Sequence, residues 1–108
     1  MNLELLLKRH FKEDRFEWNS KCESCNKKTF HSKKTRISIL PDVFIISFQR
    51  YNYLNNRKNN ARISFPEDLN ISELVDDECV VPKKMDFSYK LYAVSNHSGS
   101  LNFGHYYA

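Results

Sequence analysis

The sequence of 108 residues has few glycines, prolines and cysteines, and it contains no long hydrophobic stretch. Two glycines and three prolines exclude a collagen-like, linker-like or low-complexity chain. No apolar run approaches the roughly 20 residues that a membrane-spanning helix needs, and the apolar stretch Leu5–Leu7 is too short for a signal peptide. Because three cysteines cannot all pair in disulfides, a reducing, intracellular compartment is favoured.

Apolar and aromatic residues are plentiful, at 41% and 14% of the sequence, which excludes a disordered chain. The length suits one small domain or part of a larger one. The net charge is +4, with basic residues clustered in Lys21–Arg36 and acidic residues clustered in Glu67–Glu78. Because such clusters are usually solvated faces, we do not expect a nucleic-acid partner.

The N-terminal residues predict a short amphipathic helix that is capped by Asn2 and ends near Asp14. Glu4 and Lys8 have the spacing of an ion pair on its surface. Its apolar face consists of Leu3, Leu6, Leu7 and Phe11.

The remainder of the sequence predicts strands and turns. Alternation in Arg36–Ile39 predicts a half-buried strand, and the apolar run Val43–Phe48 predicts a strand that is buried on both faces. The asparagine-rich segment Asn52–Asn60 is predicted to be an exposed loop. Weaker signals indicate a strand at Ile63–Phe65, an irregular or helical turn anchored by Leu69, Ile71 and Leu74, a strand at Tyr89–Val94, a turn-rich loop at 96–104 and a last strand from His105. The expected fold class is therefore α+β, with one short helix followed by a mostly antiparallel β-sheet.

A Cys-x₂-Cys motif at Cys22 and Cys25 has the spacing that presents two thiolates to one tetrahedral zinc ion. Asn26 tolerates the left-handed backbone that such turns often need. Because zinc takes four ligands and the chain has no second close pair, two interpretations stay open: half of a zinc site, or two ordinary turn cysteines. A thioredoxin-like redox pair is disfavoured, since no apolar strand precedes the motif and no helical pattern follows it.

Two of the four histidines, His97 and His105, flank one glycine-containing loop. A histidine at the base of a strand beside such a loop is well placed to act as a general base, and a structural role is the alternative. His10 and His31 are expected to face solvent without a further role.

At this point the sequence resembles a known family, because residues 94–108 are similar to the histidine box of the ubiquitin-specific proteases. These are papain-like cysteine peptidases that cut after the C-terminal glycine of ubiquitin. Three further landmarks follow the family's order: Cys22–Cys25 resembles the second knuckle of its zinc-binding fingers, Leu40–Tyr51 its Leu-Pro strand with an Arg-aromatic pair, and Ile63–Pro66 with Leu69 and Ile71 its Phe-Pro segment.

The resemblance implies a deubiquitinating peptidase in which His105 takes the proton of the nucleophilic thiol and passes it to the leaving amine. Gly104, which has no Cβ, would let the Gly-Gly tail of ubiquitin pass close to the backbone. The implied partners are ubiquitin and ubiquitinated proteins, without a membrane, in the cytoplasm or nucleus, and the implied cofactor is a structural zinc held in part by Cys22 and Cys25. The substrate-binding residues implied by the resemblance are Arg50, Tyr51, His97, Gly104 and Tyr106.

The sequence also departs from the family pattern. Residues 1–108 contain no counterpart of the family's cysteine box, of its first knuckle or of the Asp or Asn that orients the histidine. We therefore expect a partial catalytic domain, its fingers and palm portion, that needs the remainder of the domain and is inactive alone. Phe103 stands where many members have a second glycine.

Two alternatives to a peptidase remain at this stage. One is a catalytically inactive ubiquitin-binding or zinc-ribbon interaction module. The other is a basic, nucleic-acid-binding zinc ribbon, against which stands Phe30 as the one aromatic residue among the basic cluster.

Overall fold

The computed structural model describes residues 1–81 and 86–108. Within these ranges the chain forms one α-helix, one 3₁₀ helix and short strands that pair two by two. The elements are α1 (Leu3–His10), β1 (Asp14–Glu17), β2 (Phe30–Lys33), β3 (Ile37–Ile39), β4 (Tyr51–Asn52), β5 (Arg57–Lys58), β6 (Asp68–Asn70), a 3₁₀ helix (Ser72–Leu74), β7 (Val75–Val80), β8 (Ser88–Lys90), β9 (Asn96–Gly99) and β10 (Gly104–Tyr107).

Helix α1 begins as predicted, because the Oδ1 atom of Asn2 accepts a hydrogen bond of 2.8 Å from the backbone N–H of Leu5. The helix ends at His10, four residues earlier than predicted, because the chain turns into β1. The predicted pairing of Glu4 with Lys8 is wrong: Lys8 Nζ lies 3.1 Å from Oε2 of Glu73 in the 3₁₀ helix.

Four of the strand pairs are antiparallel: β1–β2, β4–β5, β6–β8 and β9–β10. The fifth pair, β3–β7, is parallel and carries an irregularity in its register. The expectation of one helix with mostly antiparallel strands is therefore confirmed. The strand predicted at Arg36–Ile39 is confirmed as β3, Ile37–Ile39. The helical turn predicted around Leu69, Ile71 and Leu74 is confirmed only as the 3₁₀ helix, because Leu69 lies in the unpredicted strand β6.

The prediction for Val43–Phe48 is wrong in two respects. The segment forms no strand ladder with the described residues, and it is buried on one face only. Alternate side chains pack against the core, whereas Val43 is 49% exposed and Ile45 is 84% exposed. Since a strand needs a neighbour for its backbone groups, an apolar pattern alone does not produce one.

Two further predictions need correction. Ile63–Phe65 is reduced to one isolated parallel bridge between Ser64 and Asn2. The strand predicted at Tyr89–Val94 is confined to Ser88–Lys90, and the predicted loops Asn52–Asn60 and 96–104 each contain strand residues. Each predicted loop is the tip of a β-hairpin. The turn residues lie where they were predicted, but the paired strands extend further into each loop than predicted.

The hydrophobic core is small and lies between α1, the end of β3 and the β6–3₁₀ segment. Its centre is Ile71, which is fully buried, and it is lined on one side by Phe44, whose ring lies 5.2 Å from that of Tyr89. The radius of gyration of 18.5 Å exceeds the roughly 13 Å of a compact domain of this length, so much apolar surface stays exposed. In the part of the chain that the structure describes, no helix has the length and apolar character to cross a membrane. The buried core residues are Leu3, Leu40, Leu69, Ile71 and Leu74.

Candidate functional site

The candidate site lies where two hairpins meet, β4–β5 and β9–β10. The β9–β10 hairpin closes through a hydrogen bond of 2.8 Å from the N–H of Ser100 to the carbonyl of Phe103. Gly99 ends β9 with φ +122°, a conformation that side-chain-bearing residues rarely adopt. A Cβ at position 99 would also meet the Cα of Gly104 at 2.6 Å, so glycine is needed for both backbone angle and space.

The register of this hairpin divides the two histidines between its faces. Tyr106 pairs with His97, and the neighbouring His105 pairs with Ser98. Because successive side chains of a strand point to opposite faces, His97 and Tyr106 share one face, and His105 lies on the other. The exposed ring of His105 stacks against that of Tyr107, with centroids 6.5 Å apart.

Tyr51 in β4 joins the first of these faces. Its hydroxyl lies 3.2 Å from Nδ1 of His97 and 3.2 Å from the hydroxyl of Tyr106. The rings of His97 and Tyr106 are in contact, with centroids 4.5 Å apart. We call these three side chains the Tyr51–His97–Tyr106 cluster.

Hydrogen bonding and lost hydration change the acidity of this cluster. The hydrogen bond with Tyr106, followed by lost hydration, raises the pKa of Tyr51 above its usual value. Lost hydration, followed by the positive charge of Lys58, lowers the pKa of His97 from its ordinary value of 6.5. At neutral pH His97 is therefore uncharged, and its Nδ1 atom can accept a hydrogen bond from the Tyr51 hydroxyl.

Gly104 lies directly beneath the imidazole of His97. A Cβ at position 104 would overlap the Nε2 atom of His97 and would lie 2.6 Å from the carbonyl oxygen of Ser98. The ring of His97 therefore occupies the space that the missing side chain leaves.

A pocket of about 290 Å³ opens on the same face as the cluster. Four of the residues that line it are predicted site residues, whereas Arg50 and His105 are not part of its wall. The lining residues are Tyr51, Tyr53, His97, Leu101, Asn102, Phe103, Gly104 and Tyr106.

Arg50 lies outside the pocket and contacts backbone carbonyls that follow strand β5. Its guanidinium donates hydrogen bonds of 3.1 Å to the carbonyl of Asn59 and 2.8 Å to the carbonyl of Ala61. The same group lies 5.4 Å from the ring centre of Phe48. These contacts hold the end of the β4–β5 hairpin, so the structure gives Arg50 a supporting position and not a place in the pocket.

The Cys22–Cys25 turn is a separate feature. Asn26 adopts the predicted left-handed conformation, with φ 55°, and its N–H donates to the carbonyl of Cys22 at 2.7 Å. The backbone N–H groups of Cys25 and then Ser24 lower the pKa of the Cys22 thiol, because they stabilise its thiolate. Two thiolates are the donor type that zinc prefers, and the described residues contain no cluster of three or more metal-ligand side chains that would complete a site.

The other two histidines differ from one another. His10 is exposed, as predicted. His31 is half-buried, and the expectation that it faces solvent is wrong. Its ring lies 6.2 Å from that of Phe16 and 5.7 Å from that of Trp18, because the β1–β2 register brings these side chains onto one face.

Two residues of the site, Tyr53 and Lys58, were not predicted from the sequence. Tyr53 follows Tyr51 at the spacing of two that places side chains on one face, so this signal was available. Lys58 carries no such signal, although its Nζ atom contacts the carbonyls of His97 and Gly99 in the other hairpin. Only the folded chain brings these residues together.

Comparisons with known proteins agree on one family. A family model described as ubiquitin carboxyl-terminal hydrolase matches residues 6–108. A probable ubiquitin carboxyl-terminal hydrolase of Acanthamoeba polyphaga mimivirus is 32% identical over 112 residues, which covers 99% of this chain and 23% of that relative. Ubiquitin carboxyl-terminal hydrolase 9 of Arabidopsis thaliana is 36% identical over 90 residues, or 81% of this chain and 10% of that relative.

A human relative gives a similar result. Ubiquitin carboxyl-terminal hydrolase 21 of Homo sapiens is 30% identical over 90 residues, which covers 81% of this chain and 15% of that relative. The chain thus spans less than a quarter of the length of each of these curated relatives.

Proposed function

Because the chain belongs to the ubiquitin carboxyl-terminal hydrolase family, we propose that it is the histidine-bearing portion of a deubiquitinating cysteine peptidase. In this proposal residues 1–108 form the fingers and palm part of a papain-like catalytic domain. The observation that carries it is the β9–β10 hairpin, which presents the exposed His105 on one face and a pocket floored by Gly104 on the other.

His105 is the proposed general base. Its imidazole is exposed on a short strand, with its ring centre 6.5 Å from that of Tyr107. It takes the proton of a cysteine thiol, and the thiolate attacks the carbonyl carbon of the C-terminal glycine of ubiquitin. His105 then gives the proton to the leaving amine, and it activates the water that hydrolyses the resulting thioester.

The thiol is proposed to come from a cysteine-box segment outside residues 1–108. Cys22 and Cys25 lie in their own turn, and Cys79 lies in β7, beside the core. In the described ranges no hydrogen bond joins His105 to any of these sulfur atoms.

The pocket and the Tyr51–His97–Tyr106 cluster are proposed to contact the C-terminal tail of ubiquitin, which would cross the hairpin at Gly104 to bring its last carbonyl to His105 on the other face. A Gly-Gly segment is narrow enough to approach a backbone closely, as Gly104 would allow. Since the His97 ring fills the space over Gly104 here, passage of the tail at this point requires that ring to turn aside. Arg50 is proposed to support this surface by holding the β4–β5 hairpin.

Zinc is proposed as a structural cofactor of the fingers. Cys22 and Cys25 would supply two thiolates, and the lowered pKa of Cys22 favours the form that binds metal. The ion would link the turn to two further ligands, in a purely structural role.

The proposed function is tested by replacing His105 in the complete catalytic domain that contains residues 1–108 and following hydrolysis of a fluorogenic ubiquitin C-terminal amide. His105→Ala is expected to lower turnover by at least about 100-fold, since general-base catalysis contributes that much or more. The calorimetric affinity for ubiquitin should stay within about threefold, and the matched variant His10→Ala should leave both quantities unchanged. Undiminished turnover in His105→Ala would contradict the proposed role.

A further inference from the structure

Lys58 joins the two hairpins of the site through the backbone. Its Nζ atom donates hydrogen bonds of 3.2 Å to the carbonyl oxygen of His97 and 2.9 Å to that of Gly99. The side chain is half-buried, and both of these acceptors belong to β9. A lysine in an exposed hairpin usually extends into water, so this inward position needs an explanation.

The two carbonyls are spaced for one ammonium group. Residues two apart in a strand direct their backbone groups to the same edge, so the oxygens of His97 and Gly99 lie on one edge of β9. An ammonium group has three donors, and it can bond both oxygens and keep one donor for water. Hydrogen bonds from a charged donor are about twice as strong as neutral ones.

The contact is reinforced by the register of the β4–β5 hairpin. Tyr51 and Lys58 are direct cross-strand partners, so their side chains project from the same face. Tyr51 bonds the side chains of His97 and Tyr106, and Lys58 bonds the backbone of the same hairpin. Tyr51 and Lys58 together therefore hold the β9–β10 hairpin, Tyr51 through that hairpin's side chains and Lys58 through that hairpin's backbone carbonyls.

We propose that Lys58 is a positioning residue that fixes the β9–β10 hairpin against β4–β5, and with it the strand that carries His105. This inference rests on the proposed function for its catalytic consequence, and on the two hydrogen bonds for its structural part. Lys58 acts through the backbone carbonyls of His97 and Gly99 and makes no contact with the reacting atoms. Its positive charge also lies close enough to His97 to disfavour the protonated ring.

The experiment compares three variants with the unsubstituted protein, each in the complete catalytic domain that contains residues 1–108. Lys58→Met keeps the length of the side chain and removes its donors and charge, Lys58→Gln is a polar neutral alternative, and Lys58→Arg keeps charge and donors. Lys12→Met, at an exposed position outside the β4–β5 and β9–β10 hairpins, controls for the lost unit of charge. Three quantities are measured: amide hydrogen exchange in β9–β10, the pKa of His97 by NMR, and steady-state hydrolysis of the ubiquitin amide.

Lys58→Met and Lys58→Gln are expected to speed exchange of the β9–β10 amides by about 10-fold or more, because a held hairpin becomes a locally opening one. The pKa of His97 should rise in both variants, and kcat should fall by about 10- to 100-fold with a smaller change in KM, as expected for a misplaced catalytic group. Lys58→Arg should recover most of each effect, and Lys12→Met should show none.

The outcomes separate the inference from the proposed function. Native exchange rates and a native His97 pKa in both neutral variants overturn the positioning role, whatever happens to turnover. Faster exchange with an unchanged kcat overturns its catalytic consequence. If the complete catalytic domain that contains residues 1–108 hydrolyses no ubiquitin amide, the proposed function fails, and the exchange and NMR measurements still decide whether Lys58 fixes the hairpin. A failure of Lys58→Met to fold is resolved by Lys58→Gln and Lys58→Arg.

Discussion

The imidazole of His97 fills the space in which a side chain at position 104 would lie. The two residues are in adjacent strands of one hairpin, and their closeness follows from a register that pairs Gly104 with Gly99 and Tyr106 with His97. Gly104 has no unusual backbone angle among the described positions, so its value here is the absence of a Cβ. A histidine ring and a glycine thus form one packed unit at the edge of the pocket.

Gly104→Ala is therefore expected to destabilise the hairpin. The new methyl group overlaps the His97 ring, which can move, and lies 2.6 Å from the carbonyl oxygen of Ser98, which cannot move without distorting the strand. Overpacking of this kind typically costs about 1–3 kcal/mol, and urea unfolding measures it. The double variant Gly104→Ala/His97→Ala should recover only part of the loss, because the backbone clash stays. An undisturbed free energy of unfolding in Gly104→Ala would contradict this packing.

The sequence predicted the local features of the fold more successfully than its pairings. The cap at Asn2 and the left-handed Asn26 depend on neighbours within a few residues, and both are confirmed. By contrast, β7 lies in an acidic stretch with no strand pattern, and it forms because it pairs with the distant β3. The apolar segment Val43–Phe48 shows the reverse case, in which a strong pattern finds no pairing strand among the described residues.

The candidate site divides in the same way. The structure places Tyr51, His97, Gly104 and Tyr106, which the resemblance assigned to substrate binding, around one pocket, and it places His105 on the opposite face of the hairpin. The face on which His105 lies depends on the pairing register of the hairpin, since a shift of one residue reverses the faces. A turn-rich sequence does not determine that register. Contacts such as that of Lys58 join residues about 40 positions apart and leave no periodic trace in the sequence.

The stability of the chain should depend on pH through His97. Its pKa is lowered in the folded state by lost hydration and by Lys58, so the unfolded chain binds a proton at this position more readily. The contribution is fully present above the ordinary pKa of 6.5 and is lost as pH falls through the lower folded-state value. We expect the urea midpoint to fall with acidification below pH 6.5 and to fall less steeply in His97→Asn. Two results would contradict the role of His97: a urea midpoint that rises on acidification, or the same dependence of the midpoint on pH in His97→Asn as in the native chain.

The small core should be far more sensitive than the surface ion pair beside it. Ile71 is fully buried, and Ile71→Ala is expected to cost about 2–5 kcal/mol of unfolding free energy. Lys8 and Glu73 form an ion pair whose side chains are 63% and 72% exposed, so Lys8→Met should change the stability by less than about 1 kcal/mol. Both variants are compared by urea unfolding at equal protein concentration. Equal losses in the two variants would mean that the described core does not control the stability.

The cysteine turn provides a test that is independent of the hairpins. Because Asn26 has φ 55°, Asn26→Gly should keep the turn, whereas the β-branched side chain of Asn26→Val disfavours that angle. Loss of the turn removes the backbone N–H groups of Cys25 and Ser24 that lower the pKa of Cys22. The rate at which iodoacetamide alkylates Cys22 is measured against pH by mass spectrometry. The pH midpoint of this rate should be higher in Asn26→Val and unchanged in Asn26→Gly. Alkylation of Cys79 serves as the internal reference, since its place in β7 is remote in sequence from the substitution. The same midpoint for Cys22 in all three proteins would contradict the claim that this turn activates its thiol.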